Sequence, residues 1–186
     1  MLLINKLSID SPQKSDIPKI AKLQLDHFRY SNDRTLNWRT SQDELEIYLD
    51  LETSVIARNE DDGNIIAYLL NVDSENAFNF QSKKSGLSLF SSLTFDERSL
   101  CDFKVCVGQI FVSKEFRGMN VGSKLYQYFL KNELLCHKYD LRVGTVAFTN
   151  FPSLRFHNNH LDMDIIGVTG TSLKDCYILI LDLKKI

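Results

Sequence analysis

The chain has 186 residues, of which 44% are hydrophobic and 25% charged, with a formal net charge of −2. This is globular composition, and a chain of this length buries roughly 70% of its unfolded surface, so one core needs no disulfide or metal staple. The slight acidic balance argues against a nucleic-acid surface, which carries a basic excess, and the basic pair Lys83-Lys84 reads as a solvated loop.

Cys101, Cys106, Cys136 and Cys176 form no CxxC and share no His/Cys spacing. A zinc site is therefore not expected, and the four read as reduced thiols. No apolar run approaches the roughly 18 residues of a membrane helix. The N-terminus MLLINKLSIDSPQ turns polar too early for a signal peptide. The expectation is a soluble, cytoplasmic protein.

LLINKLSI reads as a first strand. SDIPKIAKLQLDHF places Ile17, Ile20, Ala21, Leu23 and Phe28 near helical spacing, with Asp16 as a cap and Pro18 in the first turn. TSQDELEIYLDL predicts a second helix, capped by Thr40 or Ser41, with Asp43 and Glu44 at its positive end. SVIARNEDDGNIIAYLLNV predicts a hairpin, because Asp62-Gly63 separates two β-branched apolar runs and glycine accepts positive φ.

Residues 74–100 are rich in Ser, Asn and Phe and show no period. A segment that long carries structure or a role, and Phe78, Phe80, Phe90 and Phe95 predict that it folds back on the body or lines a groove. FKVCVGQIFV is apolar on both faces, as a central strand is. Val121, Leu125, Tyr128, Phe129, Leu135 and Cys136 follow an amphipathic helix. LRVGTVAF reads as another buried strand. NFPSLRFHNNHL predicts a short helix with Asn150 as cap and Pro152 in its first turn, and DIIGVTG and CYILILDL close the chain as strands. The order is β-α-α-β-β, insertion, β-α-β-α-β-β.

RGMNVGS stands at the strand-to-helix junction. A helix N-terminus has unpaired N–H groups and partial positive charge, so phosphate suits it. The spacing fits neither GxxxxGK[ST] nor GxGxxG, because Gly118 and Gly122 are too close and Ser123 precedes Lys124. A plain turn with a glycine cap is the alternative.

Two blocks together resemble the GCN5-related N-acetyltransferase (GNAT) family. The family's Q/R-x-x-G-x-G/A signature ends its fourth strand and opens its third helix; here it reads Arg117-Gly118-Met119-Asn120-Val121-Gly122. Asn120 replaces the first signature glycine, a mild change, since Asn tolerates the left-handed region best among the other residues. In NFPSLRFHNNHLDM, Asn150, Ser153 and Phe156 match the family's second block. His157 stands for its Tyr, and Asp162-Met163 for its Gly-Phe. The element order matches over the rest of the chain.

The resemblance implies one α/β (mixed α+β) domain over 1–186, with 74–100 inserted between the third and fourth strands. Its mixed, mostly antiparallel central sheet would be flanked by helices and have splayed central strands. It implies an acetyl-CoA-dependent N-acetyltransferase that moves an acetyl group to a primary amine by direct attack on the thioester, without a metal. The alternative is a catalytically impaired coenzyme A-binding regulatory or interaction module.

Carried over, Arg117, Gly118, Met119, Asn120, Val121, Gly122, Ser123 and Asn150 would serve the cofactor, the pyrophosphate meeting N–H groups from Met119 to Ser123. Backbone groups of Ile110 and Val112 would pair with the pantetheine arm, and one N–H would polarise the thioester carbonyl. His157 would be the general acid, titrating near neutral pH, or would only pack beside Phe156 or bond a carbonyl. The base stays open among a water on Gln109, Asp102 and Glu97; Glu115 reads as a solvated turn residue. His27, His137 and His160 have no evident role. Trp38 would stand toward the acceptor side, to stack on a substrate, or would be a core or surface aromatic, and Tyr30 and Asp33 are open in the same way. The acceptor is a small-molecule or protein amine, and a homodimer is an option the family leaves open.

Overall fold

The computed structural model describes residues 7–30, 40–74, 91–170 and 175–185. Trp38, Asp33, Lys83-Lys84, Phe78, Phe80, Phe90 and the side chain of Tyr30 lie outside the described residues.

The described strands are β1 (Leu7–Asp10), β2 (Val55–Asn59), β3 (Ile65–Asp73), β4 (Thr94–Phe95), β5 (Arg98–Ser99), β6 (Val105–Val112), β7 (Leu141–Ala147), β8 (Asp164–Gly170) and β9 (Asp175–Asp182). The described helices are α1 (Ile17–Tyr30), α2 (Gln42–Tyr48), α3 (Val121–Cys136) and α4 (Phe151–Leu161). Seven strands form one sheet in the order β1-β2-β3-β6-β7-β9-β8. Only β6 and β7 run parallel; every other neighbouring pair is antiparallel. The fold is mixed α/β, with the mostly antiparallel central sheet that the sequence implies.

Local chemistry sets several boundaries. Gly63 takes φ 69° in the turn between β2 and β3. Ser41 caps α2 in a reciprocal box with Glu44. Asn150 caps α4 by accepting from the Ser153 N–H at 3.3 Å. Asp162 ends α4 at φ 53°, in the left-handed region, at the block's expected Gly-Phe.

Asp16, expected to cap α1, is held by other partners. Its carboxylate accepts from Arg58 at 3.1 and 2.6 Å and from the Gln13 N–H at 2.9 Å, which ties the start of α1 to β2.

One face of the sheet carries α1 and α2. Ile17, Ile20 and Leu45 pack there on Ile56, Tyr68 and Phe111. The other face carries α3 and α4. The i, i+4, i+8 stripe of Val121, Leu125 and Phe129 shares one buried cluster with Val55, Leu69 and Cys106 from one half of the sheet and with Val146, Leu179 and Leu181 from the other. A third cluster joins Phe95, Leu100 and Phe103 to Val105, Leu141, Val143, Ile178 and Ile180. The end of the unperiodic segment thus folds back on the sheet as a small hairpin, β4–β5.

The sheet is open in the middle. β6 pairs with β7 only at Val105–Leu141, Cys106–Arg142 and Val107–Val143, although the strands continue to Val112 and Ala147. β7 stays with β9 along its whole length, from Leu141–Asp182 to Ala147–Cys176, and so diverges from β6. Among the described residues no helix is long and apolar enough to cross a membrane, and no His, Cys, Asp and Glu side chains group as metal ligands.

Candidate active site

The divergence of β6 and β7 makes a cleft, and strand alternation decides which groups line it. The Ser113 N–H bonds Ile66 O across to β3 at 2.9 Å. Backbone groups alternate sides along a strand in an antiparallel ladder. Those of Val112, Ile110 and Gly108 therefore turn from β3 toward β7, whose pairing stopped at Val107–Val143. Ile110 and Val112 present main-chain groups to the cleft, where an extended ligand could add as a strand. The Val112 carbonyl also accepts from Arg117 Nε at 3.0 Å, so Arg117 braces the turn between β6 and α3.

The mouth of the cleft is the N-terminus of α3. Gly118 and Asn120 both sit in the left-handed region, at φ 78° and 59°. A Cβ built at Gly118 meets nothing within 4 Å, so that side of the loop is open. The first helical bond runs from the Lys124 N–H to Asn120 O at 3.1 Å. The N–H groups of Val121, Gly122 and Ser123 consequently precede the helical ladder and point out of the helix end. Met119 is exposed and Val121 is buried. This arrangement suits a phosphate and needs no side-chain cation.

Gly122 has a second duty that spacing did not reveal. A Cβ there would lie 3.2 Å from Phe156 Cζ, so the glycine lets α3 approach α4 closely. Asn150 acts through its cap on α4, one element away from the loop.

On the α1 side of β6, Gln109 Oε1 accepts from Tyr68 OH at 3.0 Å and from Gln24 Nε2 at 3.3 Å. Gln24 Oε1 in turn accepts from the Thr40 N–H at 2.8 Å. Gln24 and Tyr68 are fully buried, and burial pushes the Tyr68 hydroxyl well above its ordinary pKa. Sequence reading passed over Gln24, a polar residue on the apolar face of α1. Asp102 and Glu97 fall in and beside the β4–β5 hairpin and are exposed, as is Glu115. His27 stacks edge-on against Phe111, and His160 lies beside Phe156.

His157 is buried on α4, between Tyr126 and Phe156. Its Nδ1 donates to the Ser153 carbonyl at 2.8 Å. In the neutral ring the other nitrogen is then an acceptor. Burial holds the pKa down to about 4 from 6.5; the Ser153 carbonyl opposes this and the Arg142 charge adds to it. At neutral pH the ring has no proton to give from its far nitrogen. The expected acid role for His157 does not suit this tautomer, and the side chain reads as a tie within α4.

A stability effect follows. The unfolded chain binds a proton at this ring near 6.5 and the folded chain near 4, so stability falls as pH drops through that window. The loss is about 3 kcal/mol. Urea unfolding across the window should show this slope in the parent and a flatter one in His157→Phe. Equal slopes would mean that the ring titrates normally.

The sequence model of the acetyltransferase (GNAT) family matches residues 17–162. No curated protein sequence matches the chain. Among solved structures, a GNAT-family acetyltransferase from Streptococcus pneumoniae is similar, with a TM-score of 0.64, 13% identity, and 94% of this chain and 98% of that one covered. The Salmonella typhimurium protein yncA, described as an acetyltransferase and solved with its cofactor acetyl-CoA, gives 0.61 at 14% identity over 95% and 94% of the two chains. A chain of the NatC complex bound to Gag peptide and CoA gives 0.66 at 13% identity over 95% and 98%.

Proposed function

Because the chain belongs to the acetyltransferase (GNAT) family, we propose that it transfers the acetyl group of acetyl-CoA to a primary amine. The observation that carries this reading is the helix end of α3, with Asn120 in the left-handed region, at the mouth of a cleft along which β6 no longer pairs with β7. The pyrophosphate would meet N–H groups from Met119 to Ser123, with Gly118 leaving room for it and Arg117 holding the turn. The pantetheine arm would pair with Ile110 and Val112, and a β6 N–H would polarise the thioester carbonyl. Gly122 and Asn150 would position α3 and α4 around it. The chain serves as one domain over 1–186, with 74–100 as an insertion.

The amine must arrive unprotonated, since a free alkylamine has a pKa near 10.4. Its lone pair forms the C–N bond, the C–S bond breaks, and the electron pair leaves on sulfur. The amine proton passes to water, and the thiolate takes a proton from solvent. The face with Gln109, Gln24 and Tyr68 would receive the acceptor, a small-molecule or protein amine.

The test is calorimetric titration with acetyl-CoA, followed by thiol release with and without a panel of amines and peptide N-termini. Micromolar binding with amine-dependent release is the expected result. Absence of binding would sink the reading. One observation favours a second reading, a coenzyme A-binding module with impaired turnover: the proton of His157 is committed to Ser153. Binding without amine-dependent release would select it.

A further inference from the structure

Arg142 is the second residue of β7, an otherwise largely apolar strand, and it is 1% exposed. It is held on two sides by neutral groups. Nε donates to Asn71 Oδ1 at 3.0 Å and Nη1 donates to Tyr126 OH at 2.7 Å. Asn71 is itself fixed, donating from Nδ2 to Thr53 O at 2.8 Å. The guanidinium also lies over the Tyr126 ring, 5.0 Å from its centroid. Nη2 is buried and has no hydrogen-bond partner among the described residues. No carboxylate pairs with this cation there.

That arrangement is costly as a purely structural device. A guanidinium keeps its charge in a protein, and burying a charge without a counter-charge costs several kcal/mol. An apolar side chain at 142 would fill the same core more cheaply. The cost points to an anion that arrives with a ligand.

The place says which ligand. Arg142 is opposite Cys106 in the register, one step before the last β6–β7 pair. The backbone at 142 therefore stands at the closed end of the cleft, and the guanidinium lies over Gly108 of β6. Both strands carry glycine just past it. A Cβ at Gly108 would overlap Arg142 Nη2 and lie 2.7 Å from Asn71 Oδ1, so Gly108 is what allows the guanidinium to sit there. A Cβ at Gly144 would meet Gly108 O at 3.7 Å and Arg142 Nη1 at 3.8 Å, both ordinary contacts. Gly144 thus leaves room for a Cβ-sized group beside the cation. An arm that enters at the α3 end and runs along Val112 and Ile110 would deliver its acyl end to this spot.

We infer that Arg142 recognises a carboxylate at the far end of the acyl group, so that the site takes the coenzyme A half-thioester of a dicarboxylic acid as well as acetyl-CoA. This rests on the cofactor reading above. Arg142 with Asn71 and Tyr126 forms the floor of the acyl pocket. The carboxylate supplies the missing counter-charge, and Nη2 supplies a charge-assisted hydrogen bond.

The test is calorimetric titration of the full chain with coenzyme A, butyryl-CoA and succinyl-CoA, the two thioesters matching in chain length. Succinyl-CoA should bind at least about tenfold more tightly than butyryl-CoA, as a hydrogen-bonded charge implies. In Arg142→Met that ratio should fall to about one, and in Arg142→Lys to an intermediate value. Equal affinity for the two thioesters in the parent, with coenzyme A bound, would overturn the inference and leave the cofactor reading intact. A ratio that persists in Arg142→Met would overturn it as well. Failure to bind all three would overturn both readings. Should the variants not fold, the parent's ratio decides alone.

Discussion

Gly122→Asp should lose acetyl-CoA affinity by about 100-fold or more, equivalent to about 2.8 kcal/mol. The new carboxylate would stand in the first turn of α3, among the N–H groups assigned to the pyrophosphate. Alone there, a negative charge suits a helix N-terminus; facing a pyrophosphate, it repels. Packing must be separated from charge, because any Cβ at this position presses on Phe156 at 3.2 Å. Gly122→Ala carries the same Cβ without the charge. Titration of both variants, with thermal unfolding alongside, divides the effects. Similar losses in Ala and Asp would assign Gly122 to helix packing only, and full affinity in Asp would remove the loop from the cofactor site.

Arg58→Ala should destabilise the protein by about 2–3 kcal/mol. Breaking a buried pair strands a buried charge and costs roughly 3–5 kcal/mol, and the partial exposure of the Arg58 side chain, 20%, scales that down. Asp16 is the stranded partner, with its side chain 5% exposed. Burial alone would raise the Asp16 pKa, but its hydrogen bonds to Arg58 and the Gln13 N–H, with the Arg58 charge, bring it below 3.8. A depressed carboxyl contributes stability above its unfolded value and loses it as pH falls through the folded one. The deficit of Arg58→Ala should therefore be full at neutral pH and shrink below about pH 3.8. Chemical denaturation at neutral and acid pH measures it. A deficit independent of pH would mean that the loss is packing, not charge.

Local chemistry made much of this molecule readable from its sequence. Asp62-Gly63, the Ser41 cap with Glu44 and the Asn150 cap all depend on groups a few residues apart, and all stand where the sequence put them. Asn120 is the sharpest case, since the departure from the signature predicted a left-handed residue and the backbone has one. What stayed hidden depends on distant partners. Asp16 read as a cap because Arg58 is far along the chain. Arg142 was absorbed into a buried strand, since an apolar run with one charge does not say where that charge points. His157 aligned with an acid, yet its tautomer depends on the Ser153 carbonyl and its neutrality on its burial. The β4–β5 hairpin carries too short a pattern to stand out.

The three-pair junction between β6 and β7 has a bearing on cooperativity. Strands β1, β2, β3 and β6 form one ladder and β7, β9 and β8 another, and little backbone pairing joins them. What joins them is the buried cluster that holds Val121, Leu125 and Phe129 together with residues of both sets, and the Arg142 bond from β7 to Asn71 on β3. That shared core acts as a clasp across two foldons. A change within it would uncouple the halves before it unfolded either one.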